Sequence, residues 1–113
     1  MRRLILLAAL AALGVAGCAT TAAYHPLGSK ENPVRAAGPA GQRAYLQRLR
    51  CSDGTPPAFE RRGSVGAGPY GSIMDVYELR CASGEPARAA VYMDMYHQRV
   101  EDRPVPGFTI VPR

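Results

Sequence analysis

The chain of 113 residues has no run of about 20 apolar residues, the length that an α-helix needs to cross a bilayer. Its longest apolar run, LILLAALAALGVAG (4–17), is too short for a comfortable membrane span. The run follows the basic start Met1-Arg2-Arg3 and ends in small residues. These three features together are typical of a secretory signal peptide. We therefore expect residues 1–17 to be cleaved from the mature protein.

Residues that bind metals or act as nucleophiles are also scarce. The chain has three cysteines and two histidines, and neither Cys51 nor Cys81 has a His or Cys partner at the spacing of a metal site. Serine in the second half of the chain occurs only in loop-like segments, without the nucleophile-elbow pattern. We therefore expect no metal and no cofactor.

One glycine-rich segment has the letters of a nucleotide-binding motif. Gly66-Ala67-Gly68-Pro69-Tyr70-Gly71 satisfies G-x-G-x-x-G, but that site needs a buried strand before it and a helix after it. The charged segment FERRGSV precedes it, and the strand-like segment SIMDVYELRC follows. No Lys-Ser or Lys-Thr pair follows either. We predict no nucleotide binding, and we expect the glycines to serve turns with positive φ or close backbone approach.

The apolar run ends in a second motif, Val15-Ala16-Gly17-Cys18: an aliphatic residue, two small residues and a cysteine. It resembles the lipobox of bacterial lipoproteins. The resemblance covers only the N-terminal part of the chain, and it implies that the Cys18 thiol receives a diacylglycerol, that cleavage occurs before Cys18, and that the new amino group is acylated. Two or more acyl chains give stable membrane attachment, whereas one binds reversibly. Cys18 is therefore the expected lipidation site and the link to the membrane.

The residue after the cysteine bears on the location. Ala19 is not the Asp that retains such lipoproteins in the inner membrane, so the resemblance implies the outer membrane of a Gram-negative cell, facing the periplasm. The formal net charge is +5, and removal of Arg2 and Arg3 leaves 12 basic against 9 acidic residues, or +3. A mildly basic exported protein favours an anionic envelope polymer or an envelope protein as partner over nucleic acid. A surface kept soluble by its charge is the alternative.

The mature chain divides into a tether and a small domain. Residues 18–40 lack a hydrophobic period and predict a flexible tether, although the part from Asn32 to Arg35 can lie along the domain. Residues 41–113 form the predicted domain. It begins with one short amphipathic helix, whose apolar face holds four residues at helical spacing: Gln42, Tyr45, Leu46 and Leu49.

The second half of the domain is β-rich. The runs 72–81 and 87–97 surround the turn 82–86 and predict a β-hairpin. Segment 52–71 predicts a loop with a short strand only at 58–60, and 105–112 predicts a final short edge strand. We predict an α+β domain with the helix packed on an antiparallel hairpin or sheet.

With Cys18 lipidated, Cys51 and Cys81 remain as an even pair in an oxidising compartment. We expect a disulfide that clamps the helix to the sheet and contributes about 3.5 kcal/mol through loop closure. A domain of this size has only a small hydrophobic core, so an added covalent link is expected.

Two sets of residues are candidates for function. The possible contact surface consists of Tyr70, Tyr92, Tyr96, Arg61 and Arg62. The acid–base candidates are His97, Asp94 and Asp75.

The leading hypothesis is a non-enzymatic, lipid-anchored binding or envelope-associated module. The alternatives are a small periplasmic hydrolase or transferase that uses His97 with Asp94 or Asp75, and a lipoprotein that only spaces the envelope. A His97→Ala change separates the first two hypotheses.

Overall fold

The computed structural model describes residues 24–113; the expected signal peptide, Cys18 and the first part of the expected tether lie outside these residues. The described chain forms one helix and six strands. In chain order they are β1 (Val34–Arg35), α1 (Gly38–Arg48), β2 (Leu49–Arg50), β3 (Ala58–Ala67), β4 (Ile73–Arg80), β5 (Arg88–Asp94) and β6 (Thr109–Ile110).

The main sheet has four strands in the order β1-β5-β4-β3. Strands β4 and β5 pair antiparallel from Asp75 opposite Met93 to Arg80 opposite Arg88, which confirms the predicted hairpin. Strand β3 pairs antiparallel with β4, and the two-residue strand β1 pairs parallel with β5. The sheet is therefore mixed, with β3 as its long edge strand.

Helix α1 lies where the sequence predicts it. A proline in the first turn fixes a helical φ where a backbone N–H would be unpaired in any case. The side chains of Gln42, Tyr45, Leu46 and Leu49 are all buried, as the helical spacing predicts. Leu49 lies one residue beyond the helix, where the backbone is already extended and the first residue of β2 begins.

The core joins residues of the helix segment to one face of the main sheet. Tyr45, Leu46 and Leu49 belong to one buried cluster with sheet residues that include Tyr77, Leu79, Val91 and Met93. The Tyr77 hydroxyl also donates a hydrogen bond to Gln42 Oε1 at 3.1 Å. The result is a small single domain with one helix and mixed strands.

The domain begins earlier than predicted. Pro33, Val34 and Ala36 are fully buried, and Val34 pairs with Met93 of β5. Gly28 accepts a backbone hydrogen bond from Tyr92 at 2.8 Å. The prediction of a flexible tether up to residue 40 is therefore wrong from Gly28 onward. A strand of two residues is too short to show a period in the sequence. It forms because β5 pairs with it.

Strand β3 is longer than predicted. The sequence indicates a strand only at 58–60, but pairing with β4 continues to Ala67 opposite Ile73. The register shifts between Arg61 and Gly63 and again before Ala67. Gly63 has φ 139° and Gly66 has φ 90°. Glycines that suggested a loop therefore occupy irregular positions within an edge strand, where bulges are common.

The G-x-G-x-x-G segment forms the turn between β3 and β4. The Gly68 N–H bonds to Ser72 O at 2.8 Å, and Gly71 has φ 84°. A Cβ on Gly68 would lie 2.5 Å from Met74 Sδ. The predicted uses of these glycines, positive φ and close approach, are both confirmed. The motif joins two antiparallel strands, whereas a dinucleotide fingerprint joins a strand to a helix.

The tail and the disulfide complete the domain. Strand β6 pairs antiparallel with β2 in a separate two-stranded sheet, so the predicted final strand forms beside the end of the helix. Cys51 and Cys81 are bonded with their Cα atoms 6.0 Å apart, which confirms the predicted disulfide. Within residues 24–113, no helix has both the length and the apolar character for crossing a membrane.

Candidate functional site

The structure brings two of the three acid–base candidates together. Strand β5 ends at Asp94, and the following residues return His97 toward it. His97 Nε2 lies 3.2 Å from Oδ1 of the fully buried Asp94, although the atoms are not aligned for a hydrogen bond. Asp94 Oδ1 accepts the Tyr96 N–H at 3.0 Å. Asp94 Oδ2 and His97 Nε2 are buried without a hydrogen-bond partner.

Asp75 belongs to a different group. It lies opposite Met93, and directly paired residues point to the same face, so Asp94, the next residue after Met93, points to the other face. Asp75 is buried and accepts a hydrogen bond from Arg61 Nη2 at 2.8 Å. That bond raises the pKa of Arg61. His97 thus lies beside Asp94, whereas Asp75 forms an ion pair with Arg61.

A buried polar link adjoins Asp75. Desolvation by burial, followed by the charge of Asp75, raises the pKa of Tyr77. The amide Nε2 of Gln42, whose Oε1 accepts the Tyr77 hydroxyl, has no partner, and neither has Asp75 Oδ2. Sequence reasoning missed this link. The sequence held one indication of it: Gln42 is a polar residue on the otherwise apolar face of α1. A buried amide needs a hydrogen-bond partner, so such a residue predicts a polar partner in the core.

Two of the predicted contact tyrosines lie at one end of the main sheet. Tyr70 is 42% exposed and Tyr96 is 64% exposed. The Tyr70 ring meets the His97 ring edge-on, with centroids 4.7 Å apart. Val65 and Ile73, which the sequence did not single out, are 36% and 55% exposed in the same hairpin. We call residues 63–74, the end of the β3–β4 hairpin, the hairpin tip.

The other predicted contact residues lie elsewhere. Tyr92 is half-buried on β5, with Lys30 Nζ 5.8 Å from its ring centroid. Arg62 lies within 3.4 Å of both Glu60 and Glu78, whereas its neighbour Arg61 is held by Asp75. The two arginines therefore do not form one patch.

Arg62 is part of a charged ladder across β3, β4 and β5. The pKa of Glu78 is lowered, chiefly by the hydrogen bond from Arg80 and to a smaller extent by the charges of the nearby arginines. The members of the ladder are Glu60, Arg62, Glu78, Arg80 and Arg88.

A third buried carboxylate, Glu101, escaped sequence reasoning. Glu101 is held by Arg103 at 2.9 Å, and this hydrogen bond lowers the pKa of Glu101. The Tyr45 hydroxyl donates to Arg103 O at 2.7 Å, and burial raises the pKa of Tyr45. These contacts join the helix to the tail across a long stretch of sequence, so no local pattern indicates them.

Two groups of residues therefore remain as candidates for function: the exposed hairpin tip with Tyr96, and the Asp94–His97 pair beneath Tyr70. No group of three or more His, Cys, Asp or Glu side chains among residues 24–113 is placed to hold a metal ion. Comparison of the chain with protein-family models, curated proteins and solved structures finds no match.

Proposed function

We propose that this protein is a lipoprotein anchored through Cys18 to the outer membrane, and that its periplasmic domain is a non-enzymatic binding module. The lipobox-like segment Val15-Ala16-Gly17-Cys18 supports the anchor. The Cys51–Cys81 disulfide is compatible with an oxidising compartment.

The exposed cluster at the end of the sheet carries the binding proposal. Val65, Tyr70, Ile73 and Tyr96 are four of the five large apolar side chains that are exposed among residues 24–113. Single exposed apolar residues are ordinary, but a group of them in one place is typical of an interaction site. Tyrosine also gives a large contact area at a low entropy cost.

The anchor is tested by Cys18→Ser in cells that make the full chain. The wild-type protein should sediment with the outer membrane, and its N-terminal peptide should carry the mass of an acylated cysteine. The variant should lose the acyl mass and leave the outer-membrane fraction. A wild-type chain without acyl mass would overturn the anchor.

The binding module is tested by placing a photocrosslinking residue at Tyr70 or Tyr96 in intact cells. We expect both positions to capture an envelope component. The control position is Gln47, which is exposed on α1, away from the cluster in the sequence. Capture at Gln47 equal to that at Tyr70 and Tyr96 would contradict the proposal.

The Asp94–His97 pair favours a second candidate, a small hydrolase or transferase. A buried carboxylate beside an imidazole can orient it as a general base. However, no serine, threonine or cysteine among residues 24–113 is hydrogen-bonded to His97, and the Cys51 and Cys81 thiols are oxidised. A nucleophile activated in this way is normally within hydrogen-bond reach of its base.

The two candidates differ in what His97→Ala does in a strain that depends on the protein. The binding module predicts that His97→Ala keeps the phenotype and that a Tyr70→Ala/Tyr96→Ala double variant loses it. The enzyme hypothesis predicts the reverse: His97→Ala loses the phenotype and the double variant keeps it. The same comparison includes His25→Ala, a control histidine outside both groups.

A further inference from the structure

The hairpin tip contains no charged residue. Its sequence, GSVGAGPYGSIM (63–74), is the end of a hairpin whose strands otherwise carry an acidic or basic residue at many positions. Three of its side chains, Val65, Tyr70 and Ile73, are exposed apolar groups. Moving the exposed apolar side chains of such a segment out of water is favourable, and no charged side chain of the segment has to be desolvated.

Much of the hairpin tip borders open space. A Cβ added at Gly63, Gly66 or Gly71 would meet no atom within 4 Å. The tip contacts the body through the edge-on contact of Tyr70 with His97. On its other side, Val65 and the buried Met74 line a shallow recess together with Lys30 and Glu31. Val65 and Ile73 therefore lie near the ends of strands β3 and β4, and Tyr70 lies in the turn that joins them.

The polar groups begin at the base of the hairpin tip. Arg62 lies immediately before it and is half exposed, whereas Asp75, immediately after it, is buried against Arg61. Of the two charged residues that directly flank the tip in the sequence, the exposed one is thus an arginine, which is also paired with Glu60 and Glu78 of the charged ladder. Exposed arginine behind an apolar end complements the phosphate groups of lipids, which lie just outside the acyl region.

We propose that the hairpin tip docks on the lipid bilayer, with Val65, Tyr70 and Ile73 at the boundary between headgroups and acyl chains. This inference rests on the proposed acyl anchor. Tyrosine suits this boundary because its ring is apolar and its hydroxyl is polar. Docking would hold the domain in one orientation on the membrane surface.

The size and chemistry of the tip favour lipid over a protein partner. A stable protein interface buries more than about 1,000 Å² with good complementarity, and a few side chains without charged partners offer little of this. A lipid-anchored domain is already held beside the bilayer, so weak insertion is sufficient. The small uncharged tip therefore fits a surface that needs no specific polar pairing.

The chain has no tryptophan, so a single substitution gives a site-specific fluorescent reporter. The acylated full-length protein with Tyr70→Trp is reconstituted into phosphatidylcholine–phosphatidylglycerol vesicles with brominated acyl chains, whose bromine atoms quench nearby tryptophan. The control is Ala58→Trp, an exposed position at the opposite end of β3. We expect the Tyr70→Trp reporter to be quenched roughly twofold or more over the control, as burial at the acyl boundary requires.

A second reporter guards against local misfolding. Ile73→Trp replaces a side chain that is 55% exposed, and it should be quenched like Tyr70→Trp. If the chain sediments with the vesicles but both reporters are quenched no more than Ala58→Trp, the tip does not insert and is available to a protein partner. That result overturns the docking inference and leaves the anchor standing. If the wild-type chain does not pellet with the vesicles, the anchor fails and the inference fails with it.

Discussion

Ser83 donates a hydrogen bond from Oγ to Asp53 Oδ2 at 2.6 Å, which joins the turn after Cys51 to the turn after Cys81. Thr55 Oγ1 donates to Asp53 Oδ1 at 2.7 Å. These bonds, with the Ser83 bond the largest cause, lower the pKa of Asp53 from 3.8 to about 2. A polar junction therefore lies directly beside the disulfide.

This junction predicts acid sensitivity. Because the folded state lowers the pKa of Asp53, its contribution to stability is complete above about pH 4 and is lost as the pH falls toward 2. We expect the urea midpoint of the wild-type protein to fall between pH 4 and pH 2 more steeply than that of Asp53→Asn. Urea unfolding followed by circular dichroism at several pH values measures both curves.

Ser83→Ala provides the matched control for Asp53. It removes the largest cause of the lowered pKa, so the pKa of Asp53 measured by NMR should rise toward its ordinary value. The steep acid response should shrink accordingly. Parallel pH curves for wild type, Asp53→Asn and Ser83→Ala would show that the junction has no role in acid stability.

The disulfide itself predicts a large loss of stability on removal. Cys51 and Cys81 are 30 residues apart, and a loop of this length gives a loop-closure contribution of about 3–4 kcal/mol. The double variant Cys51→Ala/Cys81→Ala should lose roughly that free energy of unfolding in urea. Wild-type protein in reducing agent should lose a similar amount, whereas the variant should not respond to the reducing agent. A wild-type midpoint unchanged by reduction would contradict this account.

The elements that the sequence predicts are those with a repeated local pattern. Helix α1 follows from four residues at helical spacing, all of them buried, although the last, Leu49, lies one residue beyond the end of the helix. The β4–β5 hairpin follows from alternation around a short turn. The disulfide follows from the number of cysteines and their compartment. The helix and the hairpin each need only a local period, and the disulfide needs only a count of cysteines.

The features that sequence reasoning misses depend on distant partners. Strand β1 has two residues and exists because β5 pairs with it. Strand β3 runs through Gly63, and a glycine in a bulge looks the same in a sequence as a glycine in a loop. The meeting of Asp94 and His97 depends on the residue at which β5 ends, and strand ends are the least certain part of such predictions.

The neighbours Arg61 and Arg62 should differ sharply in their effect on stability. Arg61→Ala leaves the buried Asp75 carboxylate without its partner, and an uncompensated buried charge is strongly destabilising. Arg62→Ala removes only half-exposed ion pairs, which contribute little. We expect the urea midpoint of Arg61→Ala to fall several times further than that of Arg62→Ala. Adding Asp75→Asn to Arg61→Ala should recover part of the loss, and equal losses for the two arginines would contradict this assignment.

The hydrogen bond between Tyr77 and Gln42 predicts non-additive effects. Tyr77→Phe leaves the buried Gln42 amide without the 3.1 Å hydrogen bond to its oxygen, and an unsatisfied buried group costs about 1–3 kcal/mol. Gln42→Leu leaves the Tyr77 hydroxyl unpaired, with a loss of similar size. The double variant should be more stable than the sum of the single losses allows, because it leaves neither group unpaired. Urea unfolding of the four proteins measures this coupling, and additive losses would mean that the two side chains act independently.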